Sequence, residues 1–434
     1  MKNISFSSLL NQLSEELPQY RRTIFRSLII GLICSNSKKC ISVIWERFGL
    51  LFGGSEITQR RFYGLLNSAK LPWEKIRLSL IRSMDDEILT EGKILLAADD
   101  STYGKSGKKI EGAATHFDHA AKMNSSKYLW GHCRVVTGIL SMVKGRWAFL
   151  PLLQDNFIPK KQLKNGNGKT KIELAIEQVQ QVAQDFKNRE ILLTCDSWFG
   201  VKTLVKAVCD TSRESSIHIL SRLRINSSLF ELPESQKAGR GRPKKYGTKI
   251  ESVTALAMKL KASASSAKIF MYSKTRDVQF SETIVMSKAL QRKIKIIFVY
   301  RKNGYVFPIF TTDLELSAEK AIEYYAARWK IEAGFKELKH ELGVLDNQSR
   351  KMNAVENHFN LACSAMVLVW IYVIKQKNAP DRKVQSLLHY SFADIRTQIE
   401  NELLDEATNF NKLCPKSIKE AGKYIFSKIL VRIT

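Results

Sequence analysis

Residues 321–343 read AIEYYAARWKIEAGFKELKHELG. Wound at about 100° per residue, Tyr325, Arg328, Glu332 and Lys339 fall within an arc of about 60°. Ile331, Phe335, Leu338 and Leu342 form a neighbouring apolar stripe suited to burial. The polar file therefore flanks the core face instead of pointing directly away from it. Spacing alone also describes a solvated stripe with a supporting Arg–Glu pair. That reading leaves unexplained why one acid stands among three groups able to bind phosphate, close to a buried edge.

Upstream lie two apolar runs that end in acids. Ile94-Leu95-Leu96-Ala97-Ala98 stops at Asp99-Asp100-Ser101-Thr102, and Ile191-Leu192-Leu193-Thr194-Cys195 stops at Asp196-Ser197-Trp198-Phe199. Between them come strand-like stretches at His132–Met142 and Arg146–Leu152, then helical spacing over Lys169–Lys187. Strand, strand, strand, helix, strand predicts an α/β layer, in which polar residues at strand ends form sites. One aspartate alone reads as a cap or turn residue. Asp100, Asp196 and Glu332 together are three carboxylates on three elements. Magnesium takes oxygen ligands of this kind, and paired ions about 4 Å apart stabilise both oxygens of an in-line phosphoryl displacement.

The composition narrows the partner. The 434 residues carry 69 Lys and Arg against 42 Asp and Glu, a net +27. A field of that sign favours a polyanion and disfavours a small-molecule enzyme. Over 201–312 there are 22 basic residues against 7 acidic ones, so more than half of the excess lies in about a quarter of the chain. Within it, Gly239-Arg240-Gly241-Arg242-Pro243-Lys244-Lys245 is slim and basic, suited to a narrow minor groove or to a loop that meets phosphates without preference. The longest apolar run, Leu361–Ile374, is 14 residues, short of the roughly 20 that span a bilayer. Seven scattered cysteines, with no CxxC pair, argue against a disulfide framework or zinc site. These features lead us to expect a cytoplasmic protein with no membrane partner, associated with the nucleoid when bound to DNA. His116, His119 and His132 are expected to be structural or surface histidines. Gly104–Lys109 does not fit a nucleotide-binding loop, though phosphate contact there is plausible from its position.

Tyr325-x2-Arg328-x3-Glu332-x6-Lys339 resembles the Y-(2)-R-(3)-E-(6)-K signature of a large group of DDE transposases of bacterial insertion sequences. Asp100-Ser101-Thr102 looks like that group's first acidic motif, and Asp196-Ser197-Trp198-Phe199 like its second. The likeness spans about residues 90–375. It implies an α/β fold: an RNase H-like catalytic core interrupted by a β-rich insertion, with helical N- and C-terminal regions. The expected division is a helical DNA-binding region at 1–90, core at 91–200, basic insertion at 201–312, core with the signature helix at 313–375 and a helical region at 376–434. A helix-turn-helix around Ser55–Tyr63 is one option for the first region; a plain helical bundle is the other.

The resemblance also implies roles. Asp100, Asp196 and Glu332 would hold two Mg2+ ions, with Mn2+ able to substitute. The motif spacing favours Asp100 over Asp99. Tyr325, Arg328 and Lys339 would hold phosphates near the cleaved end. Phe307 is the candidate for stacking a flipped base, since the insertion has no tryptophan. The implied partners are double-stranded DNA, as terminal inverted repeats and target, and a second copy of the chain in a synaptic homodimer. The implied reaction cleaves element ends and joins the 3′-hydroxyl to target DNA. A nuclease without strand transfer and an inactive DNA-binding derivative are the alternatives. Replacing Arg240 and Arg242 together by Ala is expected to weaken DNA binding and make its salt dependence shallower by about two phosphate contacts, read from anisotropy titrations across salt.

Overall fold

A computed structural model describes residues 4–46, 58–69, 71–118, 121, 123–163, 166–210, 215–233, 244–384 and 389–413. Arg240, Arg242 and His119 lie outside the described residues, as does the stretch 47–57, which includes the first three residues of the proposed helix-turn-helix at Ser55–Tyr63. Among the described residues, eleven strands make one sheet: β1 Lys93–Gly104, β2 Ala114–Phe117, β3 Tyr128–Val143, β4 Arg146–Phe157, β5 Glu190–Cys195, β6 Ile217–Arg222, β7 Leu229–Phe230, β8 Ser265–Met271, β9 Lys274–Ser287, β10 Arg292–Tyr300 and β11 Val306–Thr311.

Its first half runs β4-β3-β1-β5-β6. β3 is antiparallel to β1 and β4, while β5 and β6 run parallel to β1. This is the strand arrangement of an RNase H-like core. β1 explains itself: Ile94–Ala98 are all buried, as a central strand covered on both faces must be. The Lys171–Asp185 helix covers one face, where Gln178 donates to the Val135 carbonyl. The Met352–Lys375 helix covers the other, where Phe359 packs on Tyr103. That second helix is apolar enough by composition to cross a bilayer, yet its apolar window is wholly buried in the protein.

The strand-rich addition is not a separate sheet. β11 pairs antiparallel with β6, and β10 and β9 follow, so the core sheet continues without a break. The boundary expected at 201 therefore falls inside the core, because β6 belongs to it. At the N-terminus, helices Phe6–Ser14, Gln19–Cys34, Gln59–Leu66 and Trp73–Arg82 dock on the Met352–Lys375 helix. Trp73 Nε1 donates to Asn357 Oδ1 at 2.7 Å, and Asn357 Nδ2 donates to the Leu66 carbonyl. Arg60 and Arg61 remain exposed on the Gln59–Leu66 helix while Phe62 and Leu65 are buried.

The quoted stretch folds as Ala318–Ala327 and Trp329–Lys336 with Arg328 at the join, followed by a π turn over Glu337–Glu341. Ser317 caps its start, accepting from the Lys320 amide, and Gly343 ends it with φ +64°, where a side chain would be strained. Gly334 lets it lie directly on β4. A Cβ there would sit 2.7 Å from the Phe149 ring and 3.1 Å from Met366 Cε. Alanine is the better helix former by about 1 kcal/mol. We nonetheless expect Gly334→Ala to cost a net 1–3 kcal/mol or so in urea unfolding, since overpacking a closed core outweighs propensity.

Candidate active site

Strand alternation decides which acids meet. Asp99 and Asp100 are consecutive on β1 and so point to opposite faces of the sheet. Asp99 faces the signature helix: Arg328 Nη1 donates to its Oδ2 at 3.1 Å, and Arg328 Nη2 donates to Glu332 Oε1 at 3.0 Å. Asp100 faces the Lys171–Asp185 helix, where its Oδ2 accepts from Lys171 Nζ at 2.7 Å and from Cys133 Sγ at 3.3 Å. The expectation that Asp100 joins Asp196 and Glu332 is thus corrected. The structure puts Asp99 there, and Asp100 is paired on the other side of the sheet.

Asp196 follows Cys195, which is in register with Ala98 on β1. It therefore stands beside Asp99, one strand spacing or about 4.8 Å away along the sheet. Its Oδ1 accepts from the backbone amides of Trp198 at 2.9 Å and Phe199 at 3.0 Å, fixing the turn after β5. Burial is the main reason that the Asp99 carboxyl is pushed up to about 7; the charge of Asp196 adds to it and Arg328 opposes it.

The remaining signature residues lie along the same face. Tyr325 is largely buried, with the Arg328 guanidinium 5.8 Å from its ring centre and the Phe307 ring 5.7 Å away. Burial pushes its phenol up to about 12. Lys339 is carried by the π turn out of the regular helical progression, and its Nζ ends 4.8 Å from the ring centre of Tyr103, two strand positions beyond Ser101. Burial lowers its pKa. Phe307 is half-buried on β11, and its ring is engaged by Arg222 at 4.8 Å and Arg301 at 5.3 Å as well as by Tyr325. Lys244 and Lys245 are exposed and far along the chain from this edge.

Other candidates from the sequence turn out structural. Lys105 donates to the carbonyls of Leu345 and Asn347, tying the strand end to the turn after the signature helix, while Lys108 and Lys109 stay exposed. His116 and His132 are buried, and burial pushes His132 down to about 4. Sequence reasoning missed Trp198, 45% exposed beside Asp196, and Arg222 and Arg301 around Phe307. The exposed tryptophan had a signal in its own motif; the arginines had none, because they are far apart in sequence.

Asp99, Asp196 and Glu332 offer carboxylate oxygens only, a donor set that suits a hard divalent cation. A cationic group, the Arg328 guanidinium, already bridges two of the three. Among the described residues no group of three or more His, Cys, Asp or Glu side chains is closed to metal-holding dimensions.

Residues 12–277 match a family profile described as DDE superfamily endonuclease, a span that includes Asp99, Asp100 and Asp196 and ends before Tyr325. Among solved structures, the chain is similar to one from a cryo-EM structure of a piggyBac transposase synaptic complex with hairpin DNA. The identity is 13%, the match covers 94% of this chain and 74% of that one, and the TM-score is 0.43. No curated protein sequence matches.

The raised pKa of Asp99 has a measurable consequence. Between 3.8 and about 7, the folded protein keeps a proton that the unfolded chain has released. Stability of the metal-free protein should therefore fall as pH rises through that window, by at most about 1.4 kcal/mol per pH unit. Asp99→Asn is expected to remove that slope in urea unfolding followed from pH 4 to 7.5, and an identical slope in the variant would assign it to another group.

Proposed function

The chain belongs to the DDE superfamily endonucleases, and we propose that it is the transposase of a bacterial insertion sequence, of the Y-R-E-K type. It would cleave DNA at the ends of its element and join the freed 3′-hydroxyl to target DNA. The observation that carries this reading is the convergence of Asp99, Asp196 and Glu332 on one face, with Tyr325, Arg328 and Lys339 along the same face, in a chain of net charge +27.

In this reading Asp99, Asp196 and Glu332 hold two Mg2+ ions, which Mn2+ can replace. A divalent cation held there would supply Lewis-acid polarisation of a phosphodiester oxygen and charge neutralisation at the attacked phosphorus. The protein's own groups do the rest. Asp99, kept partly protonated at neutral pH by burial, would bind such a cation in its ionised form. Arg328 is a planar fork able to turn from the carboxylates to two phosphate oxygens, a geometry that guanidinium and phosphate share. Tyr325 keeps its proton at any physiological pH and donates a hydrogen bond to a phosphate oxygen. Lys339, on its own stretch of the same face, meets the strand further along. Asp100 holds Lys171 and so braces the strand end from behind. Two copies bringing two element ends together, with the Gln59–Leu66 helix and the 239–245 segment assisting in DNA binding, complete the proposal.

The test uses labelled DNA from the borders of the gene's own element, incubated with Mg2+ or Mn2+ and a target plasmid. Asp99→Asn, Asp196→Asn and Glu332→Gln should each lower cleavage by on the order of 10²–10³ or more while DNA binding persists. Asp100→Asn should retain most activity; loss of cleavage in Asp100→Asn with full activity in Asp99→Asn would reverse the assignment. Nicking at the border followed by joining to plasmid supports a transposase. Nicking alone indicates a nuclease, and binding without nicking an inactive derivative.

A further inference from the structure

Across the three parallel strands β1, β5 and β6, Ala98, Cys195 and Ser221 stand in register. The residues that follow them are Asp99, Asp196 and Arg222, so the backbone positions of two acids and an arginine form one row across the sheet, at about 4.8 Å per strand. Arg222 has no carboxylate partner among the described residues. Its guanidinium is instead 4.8 Å from the ring centre of Phe307, and its Nη2 donates to Tyr305 Oη at 2.6 Å. Arg301, exposed at the end of β10, leans on the same two rings, 5.3 Å from Phe307 and 5.6 Å from Tyr305, and likewise has no acid partner.

Two cationic forks are thus held by aromatic faces in place of carboxylates. Stacking fixes a guanidinium while leaving its charge and most N–H groups free. A structural role alone would favour an acid partner. A phosphate site favours the arrangement seen, since an acid there would compete with the ligand. The route from the acids is continuous: Arg328 lies against Tyr325, Tyr325 against Phe307, and Phe307 against Arg222 and Arg301, each step under 6 Å. That distance is covered by roughly five nucleotides of one strand at 3.4 Å each.

We infer that Arg222 and Arg301, set by Phe307 and Tyr305, form a binding site for DNA backbone phosphate within about five nucleotides of the cleaved bond, on the strand that Arg328 and Tyr325 hold. The inference rests on the DNA-cleaving reading of the acids and adds to it the task of the basic addition to the sheet: β6, β10 and β11 bring its charge to the edge of the active site.

The experiment measures binding to border DNA without divalent metal, so that no cleavage intervenes, for wild type and the Arg222→Gln/Arg301→Gln double variant. The variant's dependence of log K on log salt should be shallower by about two phosphate contacts. In wild type, neutral methylphosphonates placed singly along the strand should weaken binding at one or two positions within five nucleotides of the cut. Those positions should become insensitive in the variant. A folded variant with unchanged slope and an unchanged methylphosphonate pattern overturns the site. Should the double variant unfold, Arg301→Gln alone, at an exposed position, is expected to reduce the slope by about one contact, and no reduction overturns the site equally. Wild-type protein that fails to bind border DNA at all removes the DNA-cleaving reading itself, an outcome distinct from a selective failure at Arg222 and Arg301.

Discussion

A single guanidinium, Arg328, joins Asp99 on the central strand to Glu332 on the signature helix. Burying Asp99 beside Asp196 disfavours its charged form, burial more than the neighbouring acid, and its pKa is raised accordingly. Arg328 opposes that rise from between two helical segments, where its own side chain is only 10% exposed. Much of the surrounding structure serves this contact. Gly334 brings the helix close to β4, the Met352–Lys375 helix backs the same face of the sheet, and Gly343 turns the chain away once the signature residues are in place. Buried ion pairs of this sort are weak evidence for stability.

The charge of the chain falls into two classes. Some cations are tied to acids and do structural work, as Lys171 does with Asp100 and Arg146 with Glu337. Others, Arg222 and Arg301 among them, are held on aromatic rings and keep their charge available. The difference cannot be read from net charge, and it separates a basic surface that merely attracts a polyanion from one that positions it.

Much of the fold was legible. The strands at 132–142, 146–152 and 191–195 lie within observed elements because buried strands of this core are nearly continuous apolar runs. The strand Lys274–Ser287 was not anticipated: its start is exposed on both faces and carries Lys274, Arg276 and Asp277, with Glu282 further on, so no alternation shows there. β2 was too short to register, and the helix Val253–Lys261 too mixed. Of the site, Glu332, Tyr325 and Arg328 were picked out by helical spacing and Asp196 as the acid that ends an apolar run, and the structure sets them along one face. Asp99 was passed over because the motif spacing favoured Asp100, and Ile94–Ala98, buried on both faces, shows no phase that would tell which of two consecutive acids faces the helix.

By itself the sequence determined the order of elements and the residue types that could meet, and it set the expectation of a polyanionic partner, since these follow from hydrophobic runs, from helical period and from charge. Only the tertiary structure decided which acid meets Glu332, because a strand sends neighbours to opposite faces and the faces acquire meaning only once helices cover them. It also decided that Arg222, 23 residues from the end of the Asp196 motif, stands next to Asp196. Parallel strands return the chain to the same edge of the sheet, and that adjacency is set by hydrogen-bond register, which leaves no mark on local sequence.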